Sequence, residues 1–247
     1  MRSAFGWVIA LGIACAPGLA EAGRTQFGWL FGTEVLPERG AEMITWIDEQ
    51  NGRAPTDIQW TRWGWSGLIG VTDQLMIGLP IEFLWRESDL MAPSFTWQRY
   101  GLEARYRFVS QDPVDAPPFA PLGRIAVYRD ILAQDQVNVE ADLVASTTTE
   151  SGSVMALVDI GFSSHFGKDD HHLEARPAIG ISVRAVGDLR LGAEVYSELS
   201  LDDKKQSWAA VGPNIAWSHG RFWLSASYGI GVYQIENAPR VQWGIMF

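Results

Sequence analysis

The sequence predicts a single closed antiparallel transmembrane β-barrel of about twelve strands, with ten to fourteen compatible with its weaker stretches. Three observations predict it. Beyond about residue 41 the chain breaks into segments of about ten residues, many alternating apolar with polar and separated by clusters of Gly, Pro, Asp, Asn and Ser; period two means strands. The polar faces of these strands carry Arg and Glu, while the only three lysines, Lys168, Lys204 and Lys205, fall in predicted loops. A soluble sandwich would instead show Lys to water on its polar faces. Finally, 12 Trp, 11 Phe and 6 Tyr beside 25 Gly make an aromatic-rich, turn-rich chain, and many of the aromatics sit at strand ends. Trp60, Trp63, Trp65, Phe83, Trp85, Trp97, Phe108, Trp217, Phe222, Trp223 and Trp243 fit interfacial girdles.

In chain order, residues 1–22 read as an export leader: Arg2 supplies the positive start and Phe5 to Leu19 an apolar stretch too short to span a bilayer. Ala20-Glu21-Ala22 then supplies the small-x-small cleavage pattern. The single cysteine, Cys15, lies inside the leader, so the exported chain is expected to form no disulfide. A lipidated Cys15 is the rival reading, although Gly12 stands where that signal favours a large aliphatic residue. Residues 23–40, which include Gly28, Gly32 and the stretch Leu36 to Gly40, are expected as a periplasmic N-terminal segment that could fold inward as a plug. The barrel takes residues 41–247.

Its strands are expected near residues 41–50, 56–71, 74–87, 95–109, 122–133, 137–145, 153–164, 173–184, 189–200, 207–217, 221–234 and 239–247. In the third, Leu75, Ile77, Leu79, Ile81, Phe83 and Trp85 make one apolar face against Glu82 and Arg86 on the other. In the fourth, Leu102, Ala104, Tyr106 and Phe108 oppose Arg99, Glu103, Arg105 and Arg107. Thr72-Asp73-Gln74, Val186-Gly187-Asp188 and Ser218-His219-Gly220 are tight connections expected on the periplasmic side. The Pro-rich run from Gln111 to Pro121 is expected there as a stiff connector. Glu87 to Ser94, His165 to His172, Leu201 to Gln206 and Ile235 to Ala238 are expected as outer loops. An even strand count places both termini on one side, and closure leaves no unpaired backbone in hydrocarbon.

Several short motifs, in this order, carry a family resemblance: Leu36-Pro37-Glu38-Arg39-Gly40, Gly70-Val71-Thr72-Asp73-Gln74-Leu75, Glu103-Ala104-Arg105-Tyr106-Arg107, Pro121-Leu122-Gly123, Gly229-Ile230-Gly231 and the terminal Phe247. The chain resembles a broad group of Gram-negative outer-membrane β-barrel proteins described as transporters or porin-like barrels. That resemblance implies an integral outer-membrane location and a default expectation of transport, and carries no catalytic residues.

The net charge of −10 argues against a nucleic-acid partner, which would need concentrated Lys and Arg. The expected partners are outer-membrane lipid and the barrel-insertion machinery, which would read the alternating last strand Val241, Trp243, Ile245, Phe247. No Gly-rich phosphate loop, cysteine ligand set or nucleotide fingerprint occurs, so no cofactor is expected.

The alternation directs Glu82, Arg86, Arg99, Glu103, Arg105, Arg107, Glu140, Asp142, Asp159, Glu174, Arg176, Arg184, Arg190, Glu194 and Arg240 into the lumen, as candidate pore-lining residues. Near-balanced charge has two readings: a narrow channel or transporter for small polar or ionic solutes, or a closed structural or partner-binding barrel with an ion-paired lumen. A lipid hydrolase or deacylase would need a Ser–His arrangement at the outer rim. Ser163, Ser164 and His165, near Asp169, Asp170, His171 and His172, are the candidates for that or for a surface metal, with a solvated charged loop as the plain alternative.

Overall fold

The structure, a computed structural model, describes residues 25–53, 58–88, 91–112, 117–131, 135–168 and 171–247. The predicted leader and Cys15 lie outside these residues, as do Asp169 and Asp170.

Among the described residues the chain forms twelve strands and one short 3-10 turn. They are β1 (Ala41–Arg53), β2 (Ile58–Gly70), β3 (Leu75–Ser88), β4 (Met91–Arg107), β5 (Phe119–Asp130) and β6 (Val137–Thr148), then β7 (Val154–Phe166), β8 (His171–Val186), β9 (Leu189–Ser200), β10 (Trp208–His219), β11 (Phe222–Tyr233) and β12 (Asn237–Met246). Each pairs antiparallel with its sequence neighbours, and β1 pairs with β12 from Glu42↔Met246 to Asn51↔Asn237, closing the barrel. The Phe247 N–H donates to the Ala41 carbonyl at 2.8 Å, so the last residue and the first strand meet at one end, here the terminal end.

Alternation sorts the two faces. Leu79 is 61 % exposed and Leu143 56 %, with Ile77, Ile81, Ile125, Ile160 and Ile179 likewise on the outer surface, whereas Met76, Leu84, Leu122 and Val144 point inward and are buried. Such an apolar belt is stable only against hydrocarbon. On β2 to β4 the outward rings of Trp63, Trp65, Phe83, Phe95, Trp97 and Tyr100 form one continuous cluster, with neighbouring centroids 4.6 to 6.2 Å apart. Two of the expected girdle residues face the other way. Trp223 is buried in the lumen with its indole N–H on Glu42, and Trp60 packs beneath Arg53 on the inner face. Both are tryptophans at strand ends, where composition alone cannot tell a wet interface from a filled interior.

Several predicted loops are strand. The β3–β4 hairpin is paired out to Ser88↔Met91, and β7–β8 out to Phe166↔His171, because a strand keeps pairing past the bilayer wherever its neighbour continues. Pro121 lies in β5 rather than in the connector; its carbonyl still accepts the Phe108 N–H at 3.0 Å, and the first residues of a strand tolerate the missing donor. At the terminal end the turns are tight. Gly187 and Gly220 take φ of 55° and 57°, and Thr72 Oγ1 accepts the Gln74 and Leu75 N–H groups at 3.2 and 3.0 Å.

Residues 25–36 run inside the barrel. Phe27, Trp29, Leu30, Val35 and Leu36 are buried against the inner wall, and Pro37 to Gly40 then turn the chain outward into β1. That turn is closed by Gly40 N–H to the Pro37 carbonyl at 2.9 Å and pinned to β2 by Arg39 N–H to the Gly70 carbonyl at 2.9 Å. A Cβ at Gly70 would collide with the Pro37 carbonyl, so glycine at this position lets the turn hug the wall.

Candidate functional site: a charged lumen with an internal segment

The inward faces of β3 to β8 assemble a continuous salt-bridge network. Arg124 sits at its centre with only 2 % of its side chain exposed. It donates to Glu103 at 2.6 Å, Glu140 at 3.0 Å, Asp142 at 2.6 Å and the Tyr128 hydroxyl at 3.1 Å. Arg99 grips Glu82 through two nitrogens at 2.6 and 3.0 Å and reaches Glu140 at 3.0 Å. Arg105 closes on Glu103 at 2.6 Å, and Arg176 lies 3.3 Å from Glu140 and 3.1 Å from Asp142. A buried ion is tolerated only when paired and hydrogen-bonded, and the forked guanidinium meets two carboxylates at once.

A second group centres on the closing seam and reaches from it to β9. Arg62 of β2 donates to Asp48 of β1 at 2.8 Å, and Arg240 of β12 lies 4.0 Å from the other Asp48 oxygen. Glu198 of β9 meets Arg53 at 3.4 Å and Arg62 at 4.0 Å.

The internal segment is held by further wall residues and packs against the large network. Glu194 accepts the Gly28 N–H at 3.1 Å and the Trp29 N–H at 3.2 Å. Gln242 donates to the Phe27 and Gly28 carbonyls at 2.8 and 3.0 Å, Ser225 Oγ to the Phe27 carbonyl at 2.9 Å, and Trp29 Nε1 to the Ala238 carbonyl at 3.0 Å. Deeper in the network, the Arg124 and Arg105 guanidiniums lie 4.1 and 5.2 Å from the Phe31 ring, and Arg107 donates to the Thr33 carbonyl at 2.8 Å. Phe27 fills the space over Gly180, where a Cβ would strike its ring. Between segment and wall remains a cavity of about 90 Å³, lined by Trp29, Phe31, Arg62, Glu82, Arg99 and Glu198 among others.

Of the residues singled out from the sequence, Glu82, Arg99, Glu103, Arg105, Glu140, Asp142 and Arg176 lie together in the large network. Arg107 and Glu194 hold the segment, Asp159 is buried on the inner face of β7, and Arg190 donates to Ser182 and to the Gly152 carbonyl. Arg240 lies over Trp29 and Arg86 is half-buried on the face of Glu82. Glu174 pairs with His172 at the loop end. Arg184 is the exception to an interior position: it is exposed at the terminal rim, where the β8–β9 register shifts and the wall ends. Sequence reading missed Asp48, Arg53, Arg62, Arg124 and Glu198. For Glu198 a signal existed, since it continues the alternation of Arg190 and Glu194 on β9.

At the loop end Ser163 Oγ donates to Asn138 Oδ1 at 3.0 Å and stands 3.4 Å from His165 Nε2, both on the inner face. Among the described residues no group of three or more His, Cys, Asp or Glu is arranged to hold a metal ion.

A closed twelve-strand antiparallel barrel with an apolar outside and a charged inside is the fold of outer-membrane β-barrels. No family model and no curated protein sequence matches the chain. Among solved structures it is similar to an outer-membrane channel from Pseudomonas putida F1, at TM-score 0.60 and 11 % identity over 87 % of this chain and 98 % of that one. It is also similar to the KdgM porin in complex with disordered oligogalacturonate, at TM-score 0.54 and 9 % identity over 83 % and 99 %. The translocator domain of the autotransporter NalP from Neisseria meningitidis gives TM-score 0.54 and 12 % identity over 98 % and 93 %. At these identities the likeness is one of fold.

Proposed function

We propose that the protein is an integral outer-membrane channel for small polar or ionic solutes, narrowed at rest by its own residues 25–36. The observation that supports this reading best is the inner wall. It is lined by guanidiniums, carboxylates and hydroxyls around an open cavity of about 90 Å³, a surface suited to hydrated solutes. The similarity in fold to a channel and a porin points the same way. Short turns at the terminal end fit the periplasmic side of such a barrel, and the alternating strand ending in Phe247 suits recognition by the insertion machinery.

A second reading, a closed structural barrel, draws support from the density of ion pairs and from the segment's many anchors. A hydrolase reading has little: Ser163 and His165 face the lumen, away from the hydrocarbon in which an acyl ester would lie.

Single-channel recording of the refolded protein in a planar bilayer under a KCl gradient tests the proposal. Small, steady conductance steps are expected, with a reversal potential that moves on Arg105→Glu. A folded barrel that stays silent, both as wild type and with the segment's anchor Glu194 substituted, overturns the channel in favour of the closed barrel.

A further inference from the structure

We infer that Glu198 sets charge selectivity in the lumen, by holding Arg53 and Arg62 across the barrel as a charged crossbar. The inference rests on the channel reading above and names the residue that would decide which solutes pass. It comes from comparing where the ion pairs run. Around the closed ring, β9 stands four places from β1 and five from β2, so Arg53–Glu198 and Arg62–Glu198 traverse the interior. The other strand-to-strand pairs of the two groups join strands no more than two places apart. Pairs of that kind pave the wall. A pair that crosses the lumen stands in the path.

Each end of the crossbar is fixed. Trp208 Nε1 donates to Glu198 Oε2 at 2.7 Å, and the Tyr196 hydroxyl to Oε1 at 3.4 Å. Arg62 is set by its 2.8 Å bond to Asp48, and Arg53 by bonds of 2.9 Å to Gln50 Oε1 and to the Gln206 carbonyl in the β9–β10 connection. The Tyr196 ring stacks on Trp29 with centroids 4.8 Å apart, so the crossbar lies next to the internal segment without belonging to it. Within these ion pairs three guanidiniums, of Arg53, Arg62 and Arg240, face the carboxylates of Asp48 and Glu198, and the neighbouring Glu174, Glu82, Arg99 and Arg176 add two charges of each sign. Removing the Glu198 charge therefore leaves an excess of positive charge at this cross-section, and passing ions would be sorted by sign.

The test places a reporter beyond the crossbar. Ser66 lies on the face of Arg62, four residues along β2 towards the terminal end, roughly 13 Å further along the wall, and its buried hydroxyl lines the same cavity. In a Ser66→Cys protein in the outer membrane of intact cells, the rates of labelling by an anionic and a cationic methanethiosulfonate added outside, on the loop side, are compared. Glu198→Gln is expected to raise the anionic-to-cationic ratio at least fivefold and to shift the reversal potential towards anions. Arg53→Gln is expected to move both towards cations, and keeps the test decisive where Glu198→Gln fails to fold. An unchanged ratio in the folded variants overturns the crossbar, even where the protein conducts. A changed ratio in a barrel that never conducts instead upholds the crossbar as a charge sieve and overturns the channel reading.

Discussion

Glu194→Ala should free the internal segment. The Glu194 carboxylate accepts two buried N–H groups, of Gly28 and Trp29, at 3.1 and 3.2 Å. Hydrogen bonds to a charged acceptor each contribute about 1.5 to 3 kcal/mol net, and two such bonds therefore about 3 to 6 kcal/mol. Water entering the vacated space recovers part of this, so the lower figure, about 3 kcal/mol, is the working value; at 1.4 kcal/mol per decade it means a roughly 150-fold larger undocked population. Glu194→Gln keeps an acceptor and loses only the charge, which should give a smaller effect of roughly tenfold. The assay is thiol labelling of Thr33→Cys, a buried position on the segment whose hydroxyl now meets Ser146 Oγ at 2.6 Å. With opening and closing fast relative to labelling, the rate reports the undocked fraction directly. Equal labelling in the wild-type, Gln and Ala backgrounds would refute the reasoning, since the segment would then be held by something other than these bonds.

Three further outcomes are expected. Gly180→Val puts a side chain where the Phe27 ring lies and should speed labelling of Thr33→Cys by at least tenfold, while a surface glycine replacement such as Gly67→Ala, with open space around it, should not. Arg124→Ala takes one partner from each of Glu103, Glu140 and Asp142, which keep Arg105, Arg99 and Arg176, and leaves the buried network one positive charge short; it should cost about 3 to 5 kcal/mol in urea unfolding from lipid vesicles, with Arg124→Lys intermediate because an ammonium cannot fork. Leu79→Lys on the outer belt should cost roughly 2 to 4 kcal/mol in the same assay if that face meets the bilayer midplane; a loss below about 0.5 kcal/mol would mean it does not.

The period-two pattern carries the fold well from β3 onward because one face there is almost wholly apolar and the other charged, as in Leu79 and Ile81 against Glu82 and Arg86. It weakens where both faces are apolar or both mixed. In β5 the inward Leu122, Ala126 and Tyr128 are as apolar as the outward Ile125 and Val127, and Arg124 is hidden among them. In β1 and β2 Trp and Gly occur on both sides, so the registers that place Asp48 and Arg62 inward emerge only from pairing. The interior position of residues 25–36 follows from tertiary fit: Phe27 needs the bare backbone of Gly180, and Trp29 needs the Ala238 carbonyl, and neither partner is near in sequence.

The seam between β1 and β12 is also where the segment docks, and this ties assembly to occupancy. Gln242 and Ala238 of β12 bind the segment across 209 to 215 residues of chain, and Trp46 of β1 belongs to the same buried cluster as Phe27 and Trp29. Strand β12 thus supplies both a closing edge of the cylinder and part of the berth for the internal segment. Zipping the two edges and seating the segment become one late cooperative event, slow because its contacts span nearly the whole chain. Damage to the berth would then show first as delayed maturation of the barrel, before any loss of the finished structure.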